Sequence, residues 1–282
     1  MKTRIITAAV LIPISLCILI IFPPIVLTLV LSAISTTAAY EFLKATKTIK
    51  YKRTLIYTMV TATLIPPTIF ISTLIPNATL VLLNVFLPIS FIFFSLLLID
   101  VLLAQKGEIL TKFRLIPLAL CAGVLIPFLL STLINLKTMP YGNLLVMLPV
   151  IISILTDSGA YFTGIAIGKR KPFPKISPKK TTEGFIGGII IGTFATVVYA
   201  TIIANTTPLN VIIPATALFG LIGSITTEIG DLSFSLIKRK CDIKDYGTLI
   251  PGHGGILDRL DGMILCAPTV YLLISLIPAI II

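Results

Sequence analysis

Long apolar runs separated by short polar segments make up most of this chain of 282 residues. Nine of these runs have about the 17–25 residues that a helix needs to cross the hydrocarbon core of a bilayer. They cover approximately residues 5–22, 25–43, 56–75, 79–103, 115–135, 143–167, 184–204, 210–232 and 262–282. The pattern predicts an all-α, polytopic integral membrane protein with about nine transmembrane helices.

The composition agrees with this prediction and excludes several other classes of protein. The chain is 56% hydrophobic and only 12% charged, whereas soluble globular proteins carry about 25% charged residues. Such a sequence is too apolar for a soluble domain, a disordered chain or a coiled coil. The four cysteines are dispersed and form no CxxC pair, so neither a zinc site nor a disulfide framework is indicated.

Basic residues occur in alternate polar segments of the chain. They are concentrated in 44–55, 104–114, 168–183 and 233–261, whereas the segments near 23–24, 76–78, 136–142 and 205–209 contain one, Lys137. Because Lys and Arg accumulate on the cytoplasmic side of membranes, the N-terminus is predicted to be cytoplasmic and the C-terminus external. Topology also explains the net charge of +11, so we expect membrane lipids and no nucleic acid as partners.

The acidic residues divide the chain into two regions. Eight of the eleven acidic residues follow position 156, and of the other three, Glu41 and Asp100 are expected at solvated helix ends. We therefore predict an N-terminal transmembrane scaffold of about five helices at 1–142. A C-terminal catalytic region of about four helices is predicted at 143–282, with cytoplasmic loops at 168–183 and 233–261.

Several of these late acids fall within apolar runs. Asp157 interrupts one such run, and an acid at membrane depth usually faces a wet cavity or a charged partner. Glu228, Asp231 and Ser235 follow at i, i+3 and i+7, which places them on one face of a helix. Hard oxygen ligands of this kind suit Mg²⁺. Ion pairs that only pack the helices together are the alternative.

The two cytoplasmic loops combine bases with glycine, serine and threonine, a composition that favours phosphate binding. In the first loop Lys179 and Lys180 precede Thr181 and Thr182, either of which could cap the next helix. In the second loop glycines surround the single histidine. The residues of the second loop considered for phosphate binding or catalysis are Lys238, Arg239, Lys244, His253, Gly254, Gly255, Asp258, Arg259 and Asp261.

Three stretches of the sequence resemble one known family. The run from Ser235 to Asp261, SLIKRKCDIKDYGTLIPGHGGILDRLD, is similar to the long signature of the phosphatidate cytidylyltransferases, or CDP-diacylglycerol synthases. The segments TDSGAYFTGIAIG at 156–168 and SPKKTTEGFIGG at 177–188 also resemble motifs of that family. One position departs from the family pattern, because Phe234 stands where members often carry an acid.

The resemblance implies transfer of cytidylyl from CTP to phosphatidic acid, giving CDP-diacylglycerol and pyrophosphate for phospholipid biosynthesis. It also implies Mg²⁺, bound by Asp231 and Asp258 with Ser235 beside them, and a monovalent cation such as K⁺. With the residue patterns above, it predicts a site that faces the cytoplasm from the cell's inner membrane. The predicted catalytic residues are Asp157, Asp231, Lys238, Arg239, Asp258 and Asp261. The predicted substrate-binding residues are Lys179, Lys180, Ser235, Lys244, His253, Gly254, Gly255 and Arg259.

Other functions stay open at this point. An ion or anion transporter could use Asp157 and Asp231, although it would be expected to spread its acids along a transmembrane path. A CDP-alcohol phosphatidyltransferase would carry a DGxxAR run followed by GxxxDxxxD, which the sequence lacks. A lipid or polyprenol kinase would use ATP instead of CTP. Homodimerisation through the first spans is a further prediction without a residue-level argument.

Overall fold

The structure is a computed structural model that describes residues 2–75, 82–104, 109–252, 254–277 and 280–281. Within these residues, eight helices are long and apolar enough to cross a membrane. They are Pro24–Ala45, Lys52–Leu74, Asn84–Leu102, Thr111–Thr138, Gly142–Ile167, Thr182–Thr206, Ile213–Lys240 and Leu257–Leu276, and a shorter apolar helix covers Ala9–Ile20. The prediction of a polytopic all-α membrane protein is confirmed, while the orientation of its termini stays a prediction.

The chain folds into two compact units, and the first contains Met1–Thr138 together with Ile243–Arg259. Its described helices are α1 (Lys2–Ile20), α2 (Pro24–Ala45), α3 (Lys52–Leu74), α4 (Leu87–Leu102), α5 (Ile109–Leu120) and α6 (Ile126–Thr138). A 3₁₀ turn (Thr48–Lys50) precedes α3, and π-helical turns precede α4 (Leu82–Phe86) and α6 (Cys121–Leu125). The π-helical turn at Cys121–Leu125 joins α5 to α6, and together they form the continuous span Thr111–Thr138.

Helix α2 carries the residues that contact the 243–259 segment of this unit. It begins with Pro24 in its first turn, where proline's fixed φ suits a helix and its missing N–H costs nothing. Helix α2 packs against α3 and α6, and its apolar residues Leu31, Ala38 and Phe42 are buried. Consequently the C-terminal end of α2 is held firmly where it approaches the 243–259 segment of the same unit.

The second unit contains Met139–Asp242 and Leu260–Ile282. Its helices are α7 (Gly142–Leu145), α8 (Met147–Ile167), α9 (Thr182–Thr206), α10 (Ile213–Lys240) and α12 (Met263–Leu276). A four-residue helix, α11 (Leu257–Leu260), lies where the chain leaves the first unit for the second. Two short antiparallel strands, β1 (Asn210–Val211) and β2 (Ile280–Ile281), pair Asn210 with Ile281 and Val211 with Ile280.

Glycines on α9 allow its neighbours to approach closely. A Cβ atom added to Gly188 would lie 2.8 Å from the carbonyl oxygen of Thr156 on α8 and 3.1 Å from Oε1 of Glu228 on α10. One turn earlier, a Cβ on Gly184 would lie 2.7 Å from the carbonyl oxygen of Ala160. Small residues commonly form such contacts between membrane helices. Here they bring the acid-bearing parts of α8 and α10 close to α9.

Two boundaries differ from the sequence prediction. The predicted span 210–232 begins later, at Ile213, because Asn210 and Val211 form β1. The predicted loop at 233–261 begins later as well, because α10 continues to Lys240. Hydropathy falls where the charged residues begin, but the hydrogen-bonded helix does not end there. Lys238 and Arg239 therefore lie on a helix instead of in a loop, and Ser235 lies on the same helix as its periodicity predicts.

Candidate functional site

Acidic side chains of the second unit gather around one cavity of about 610 Å³. Asp157 of α8 and Glu228 and Asp231 of α10 line this cavity, together with Lys179 and Lys180 from the segment before α9. Asp157 is exposed toward the open space, whereas Glu228 is completely buried. The structure thus brings together the residues that the sequence singled out at 157, 179, 180 and 231.

Lys180 connects the two carboxylates of α10. Its Nζ lies 2.5 Å from Oε2 of Glu228 and 2.7 Å from Oδ2 of Asp231. Burial disfavours the charged ammonium, but Asp231 and Glu228 outweigh that effect and raise the pKa of Lys180 to about 12. Lys180 is therefore charged at physiological pH and neutralises part of the acidic cluster.

Lys180 lies just before α9, which begins at Thr182. The Thr181 hydroxyl accepts a hydrogen bond from the backbone N–H of Gly184 at 3.1 Å, which confirms the predicted cap of α9. On α10, Ser235 Oγ donates to Oδ1 of Asp231 at 3.1 Å, so the predicted i, i+4 pair is formed. Asp231 is consequently held by a hydroxyl on one oxygen and an ammonium group on the other.

A second polar group in the same unit lies around Asp261. Lys238, which is buried, places its Nζ 3.7 Å from Oδ2 of Asp261. The other oxygen, Oδ1, accepts the backbone N–H of Gly262 at 2.9 Å. Arg239 is exposed and donates from Nε to the carbonyl oxygen of Ile176 at 3.1 Å. Arg239 thus anchors the 168–181 segment to the end of α10.

The glycine-rich part of the signature lies in the first unit and encloses Asp258. Oδ2 of Asp258 accepts the backbone N–H of Tyr246 at 2.8 Å and that of Gly255 at 3.0 Å. Gly252 and Gly254 have φ of 76° and 88°, a region that glycine adopts without strain. The backbone N–H of Ile250 bonds the carbonyl oxygen of Gly254 at 2.9 Å and closes the turn.

This loop forms a separate cavity of about 490 Å³ within the first unit. Lys244 and Arg259, both exposed, line it beside Asp245, Thr248 and Gly254. Its basic side chains and open glycine backbone suit a phosphate group, as the sequence predicts. His253, which was predicted to take part, lies outside the described residues.

Glu41 is a residue whose role the sequence analysis missed. It was expected at a solvated helix end, and that expectation is wrong: its side chain is buried, with 4% exposure. Its carboxylate accepts the backbone N–H groups of Ile256 and Leu257. No local pattern could have indicated this contact, because 215 residues separate Glu41 from Ile256.

The acidic cluster of the second unit fits a hard divalent cation. Glu228 Oε1 is buried and has no hydrogen-bond partner within the described residues, and an unpaired buried carboxylate oxygen is costly. Within the same residues, no three His, Cys, Asp or Glu side chains are grouped as a metal site. One or two carboxylates, completed by water and substrate phosphates, are nevertheless the usual protein ligands of Mg²⁺.

Comparison with known proteins gives a match across nearly the whole chain. A model of the cytidylyltransferase family matches residues 2–277. The chain is 32% identical to a phosphatidate cytidylyltransferase of Haemophilus influenzae over 285 aligned residues, which cover 95% of this chain and 96% of the relative.

Shorter alignments have higher identity. A phosphatidate cytidylyltransferase of Bacillus subtilis is 43% identical over 136 residues, covering 48% of this chain and 49% of the relative. One from Mycobacterium bovis is 42% identical over 125 residues, covering 44% of this chain and 39% of the relative. The chain thus matches about half or less of the length of these two relatives.

Proposed function

We propose a function from one premise: this chain belongs to the cytidylyltransferase family, whose model matches residues 2–277. The proposed reaction transfers cytidylyl from CTP to phosphatidic acid and releases pyrophosphate. Its product, CDP-diacylglycerol, would serve phospholipid biosynthesis. The relatives named as phosphatidate cytidylyltransferases support this choice, and none of them supports the alternative of an ion or anion transporter.

The observation that carries the proposal is the cavity in which Lys180 joins Glu228 and Asp231. In the proposed reaction an ionised phosphate oxygen of phosphatidic acid attacks the α-phosphorus of CTP. A new P–O bond forms, the bond to the β-phosphate bridging oxygen breaks, and pyrophosphate leaves with its electron pair. No protein nucleophile is needed, so the protein's task is to position two polyanions and to offset their repulsion.

Basic and acidic residues of the chain are assigned different parts of this task. We assign Lys179, Lys180, Lys238, Arg239, Lys244 and Arg259 to the phosphates of the substrates. Ser235 holds Asp231 through the hydrogen bond described above, and Gly254 lines the cavity beside Lys244 in which a phosphate is proposed to bind. Gly255 contacts the carboxylate of Glu41 instead. Asp157 and Asp261 are proposed to complete the catalytic set, and His253 is proposed as a phosphate donor.

Mg²⁺ is proposed as the cofactor, and the assignment of Asp231 and Asp258 as its protein ligands is carried over from the family resemblance. When bound, it would neutralise charge on the triphosphate and on the leaving pyrophosphate. Glu228, next to Asp231 on α10, offers a further carboxylate oxygen. A monovalent cation such as K⁺ is carried over from the family resemblance alone.

The proposed location follows from the same chemistry. Phosphatidic acid stays in the bilayer while CTP arrives from the cytoplasm, so the site should lie at the cytoplasmic ends of the helices. We accordingly propose a multi-pass protein of the inner membrane with a cytoplasmic N-terminus and an external C-terminus. Homodimerisation through the first spans also remains a proposal.

Incubation of the purified protein with α-³²P-labelled CTP, Mg²⁺ and phosphatidic acid tests the function directly. The expected result is a labelled lipid together with unlabelled pyrophosphate. A kinase would label no lipid under these conditions, and a transporter would leave both substrates unchanged. Either of those results would refute the proposal.

Two substitutions test the assigned metal ligands. Asp231→Asn and Asp258→Asn should each nearly abolish turnover, because the loss of a metal carboxylate removes several kcal/mol of transition-state stabilisation. The matched control is Asp242→Asn, since Asp242 is an exposed acid of the same region with φ of 58°, a conformation that asparagine tolerates. Near-normal Mg²⁺-dependent turnover in either test variant would contradict the assignment of that residue.

A further inference from the structure

The C-terminal end of α2 carries a carboxylate that neither the sequence motifs nor the proposed reaction uses. Glu41 is buried at 4% exposure in the first unit, although burial of a carboxylate is costly unless it is hydrogen-bonded. Its partners are two consecutive backbone amides of the glycine-rich loop. The N–H of Ile256 donates to Oε1 at 3.1 Å, and the N–H of Leu257 donates to Oε2 at 2.9 Å.

Two glycines of the loop leave the space that the Glu41 side chain occupies. A Cβ atom on Gly255 would lie 2.5 Å from each carboxylate oxygen of Glu41, and one on Gly247 would collide with Oε1. Both positions therefore need glycine if Glu41 is to sit between them. Beside it, the rings of Phe42 and Tyr246 stack with centroids 6.4 Å apart. Two adjacent residues of α2 thus contact both ends of the loop.

The same short stretch of backbone also binds Asp258. The amide of Gly255 donates to Asp258, and the next two amides along the chain donate to Glu41. Tyr246, which stacks on Phe42, donates the second backbone hydrogen bond to Asp258. Any shift of residues 255–257 relative to α2 must therefore displace the Asp258 carboxylate.

We infer that Glu41 is a positioning residue that holds the glycine-rich loop in the conformation that orients Asp258. This role rests on the proposed function, because Asp258 matters only if the loop belongs to the reacting site. Glu41 itself does not touch the reacting groups in this assignment. It acts through the backbone amides of Ile256 and Leu257.

Two variants and one control separate this role from simple packing. Glu41→Ala removes both acceptors, and Glu41→Gln keeps the volume and one acceptor oxygen while placing an amide N–H₂ against the other donor. Ser35→Ala is the control, since Ser35 lies on the same helix, is completely buried, and has an Oγ without a hydrogen-bond partner within the described residues. All three are made in the full-length chain.

The first measurement is hydrogen exchange of the amides at 255–257, which requires no catalytic activity. Glu41→Ala should speed exchange there by about 10-fold or more, Glu41→Gln by less, and Ser35→Ala should leave it unchanged. The second measurement is steady-state kinetics well below the unfolding temperature. Here kcat should fall by about 10- to 100-fold in Glu41→Ala and by less in Glu41→Gln. KM for CTP and for phosphatidic acid should stay within about threefold, because misorientation of Asp258 affects the transition state more than substrate binding.

The outcomes distinguish this inference from the proposed function. If the unmodified protein makes no labelled lipid, the proposed function fails, and the exchange rates still report whether Glu41 holds the loop. Unchanged exchange at 255–257 in Glu41→Ala would overturn the inference. So would an unchanged kcat per folded molecule, or losses in the Glu41 variants no larger than those of Ser35→Ala. If Glu41→Ala does not fold, Glu41→Gln carries the same comparison.

Discussion

Replacement of Lys180 by methionine perturbs the centre of the acidic cluster with little change in side-chain volume. The substitution removes the ammonium group that lies 2.5 Å from Glu228 and 2.7 Å from Asp231. It leaves two carboxylates on neighbouring turns of α10 without their shared counter-charge. We expect Lys180→Met to lower the stability of the protein as well as its activity.

The size of the effect follows from the charge environment. A rise in the pKa of Lys180 from 10.5 to about 12 corresponds to ~2 kcal/mol of preferential interaction with the charged form. Removing one partner of a fully buried ion pair costs about 3–5 kcal/mol. The side chains of Lys180 and Asp231 are 22% and 25% exposed, so the cost should be below that of a fully buried pair. We expect Lys180→Met to lower the free energy of unfolding by ~2–3 kcal/mol, which corresponds to a fall in Tm of several degrees.

The stabilisation that Lys180 provides should depend on pH in one direction. The folded-state pKa of Lys180 is raised, so its contribution is fully present below the unfolded value of 10.5 and is lost only as the pH rises through about 12. Titration of Lys180 itself should therefore not change the difference in Tm between the unmodified protein and Lys180→Met from about pH 6 to pH 9. A thiol-reactive dye can follow unfolding, because the thiol of Cys266 is completely buried in the folded state.

A double variant separates stability from function. In Lys180→Met/Glu228→Gln the buried uncompensated charge is gone, so most of the lost Tm should return while turnover stays low. Glu228→Gln alone is the matched control, and it should be at least as stable as the double variant, because Lys180 keeps its ion pair with Asp231 there. The reasoning is refuted if Lys180→Met melts within about 1 °C of the unmodified protein, or if the second substitution restores no stability.

The remaining predictions concern topology and the division of the basic residues. In a background without reactive cysteines, a cysteine at Lys179 should react only from the cytoplasmic side and one at Asn205 only from outside. Both positions are exposed, and they lie at opposite ends of α9. Labelling of both from one side would contradict the predicted topology. Charge removal in the 44–53 segment should leave kcat/KM within a few-fold, since we assign those bases to membrane orientation and to anionic headgroups. Single charge removals in the substrate set should instead cost about 10- to 100-fold, and equal losses in the two sets would refute the division. The substrate set is Lys179, Lys180, Lys238, Arg239, Lys244 and Arg259.

Local patterns predicted those parts of the molecule that depend on neighbouring residues. Apolar run length is set by the thickness of the bilayer, so it identified the spanning helices. Helical periodicity correctly placed Asp231 and Ser235 in contact. A cap at Thr181 or Thr182 was predicted for the same reason, because a capping side chain binds an amide only a few residues away, and the structure has it at Thr181.

Contacts between distant residues could not be predicted in this way. Lys180 reaches Glu228 across 48 positions, and Glu41 reaches the glycine-rich loop across more than 200. Hydropathy also misplaced the end of α10, since it reports where the bilayer ends and not where helical hydrogen bonding ends. That error matters for function, because Lys238 is placed by a helix and its reach toward Asp261 is correspondingly fixed.

The arrangement of charge in the second unit favours a reaction between polyanions over transport. Three carboxylates of its cavity come from the membrane helices α8 and α10, and three ammonium groups come from the segment between α8 and α9. The carboxylates are Asp157, Glu228 and Asp231, and the ammonium groups are Lys171, Lys179 and Lys180. Such a division by source would suit a nucleotide that carries its own cation, since acidic and basic side chains are both available to it. A transport path would need acids at successive depths along a span, whereas here the three share one cavity with the bases. A substrate that brings both charges together therefore matches this cavity better than a bare ion of either sign.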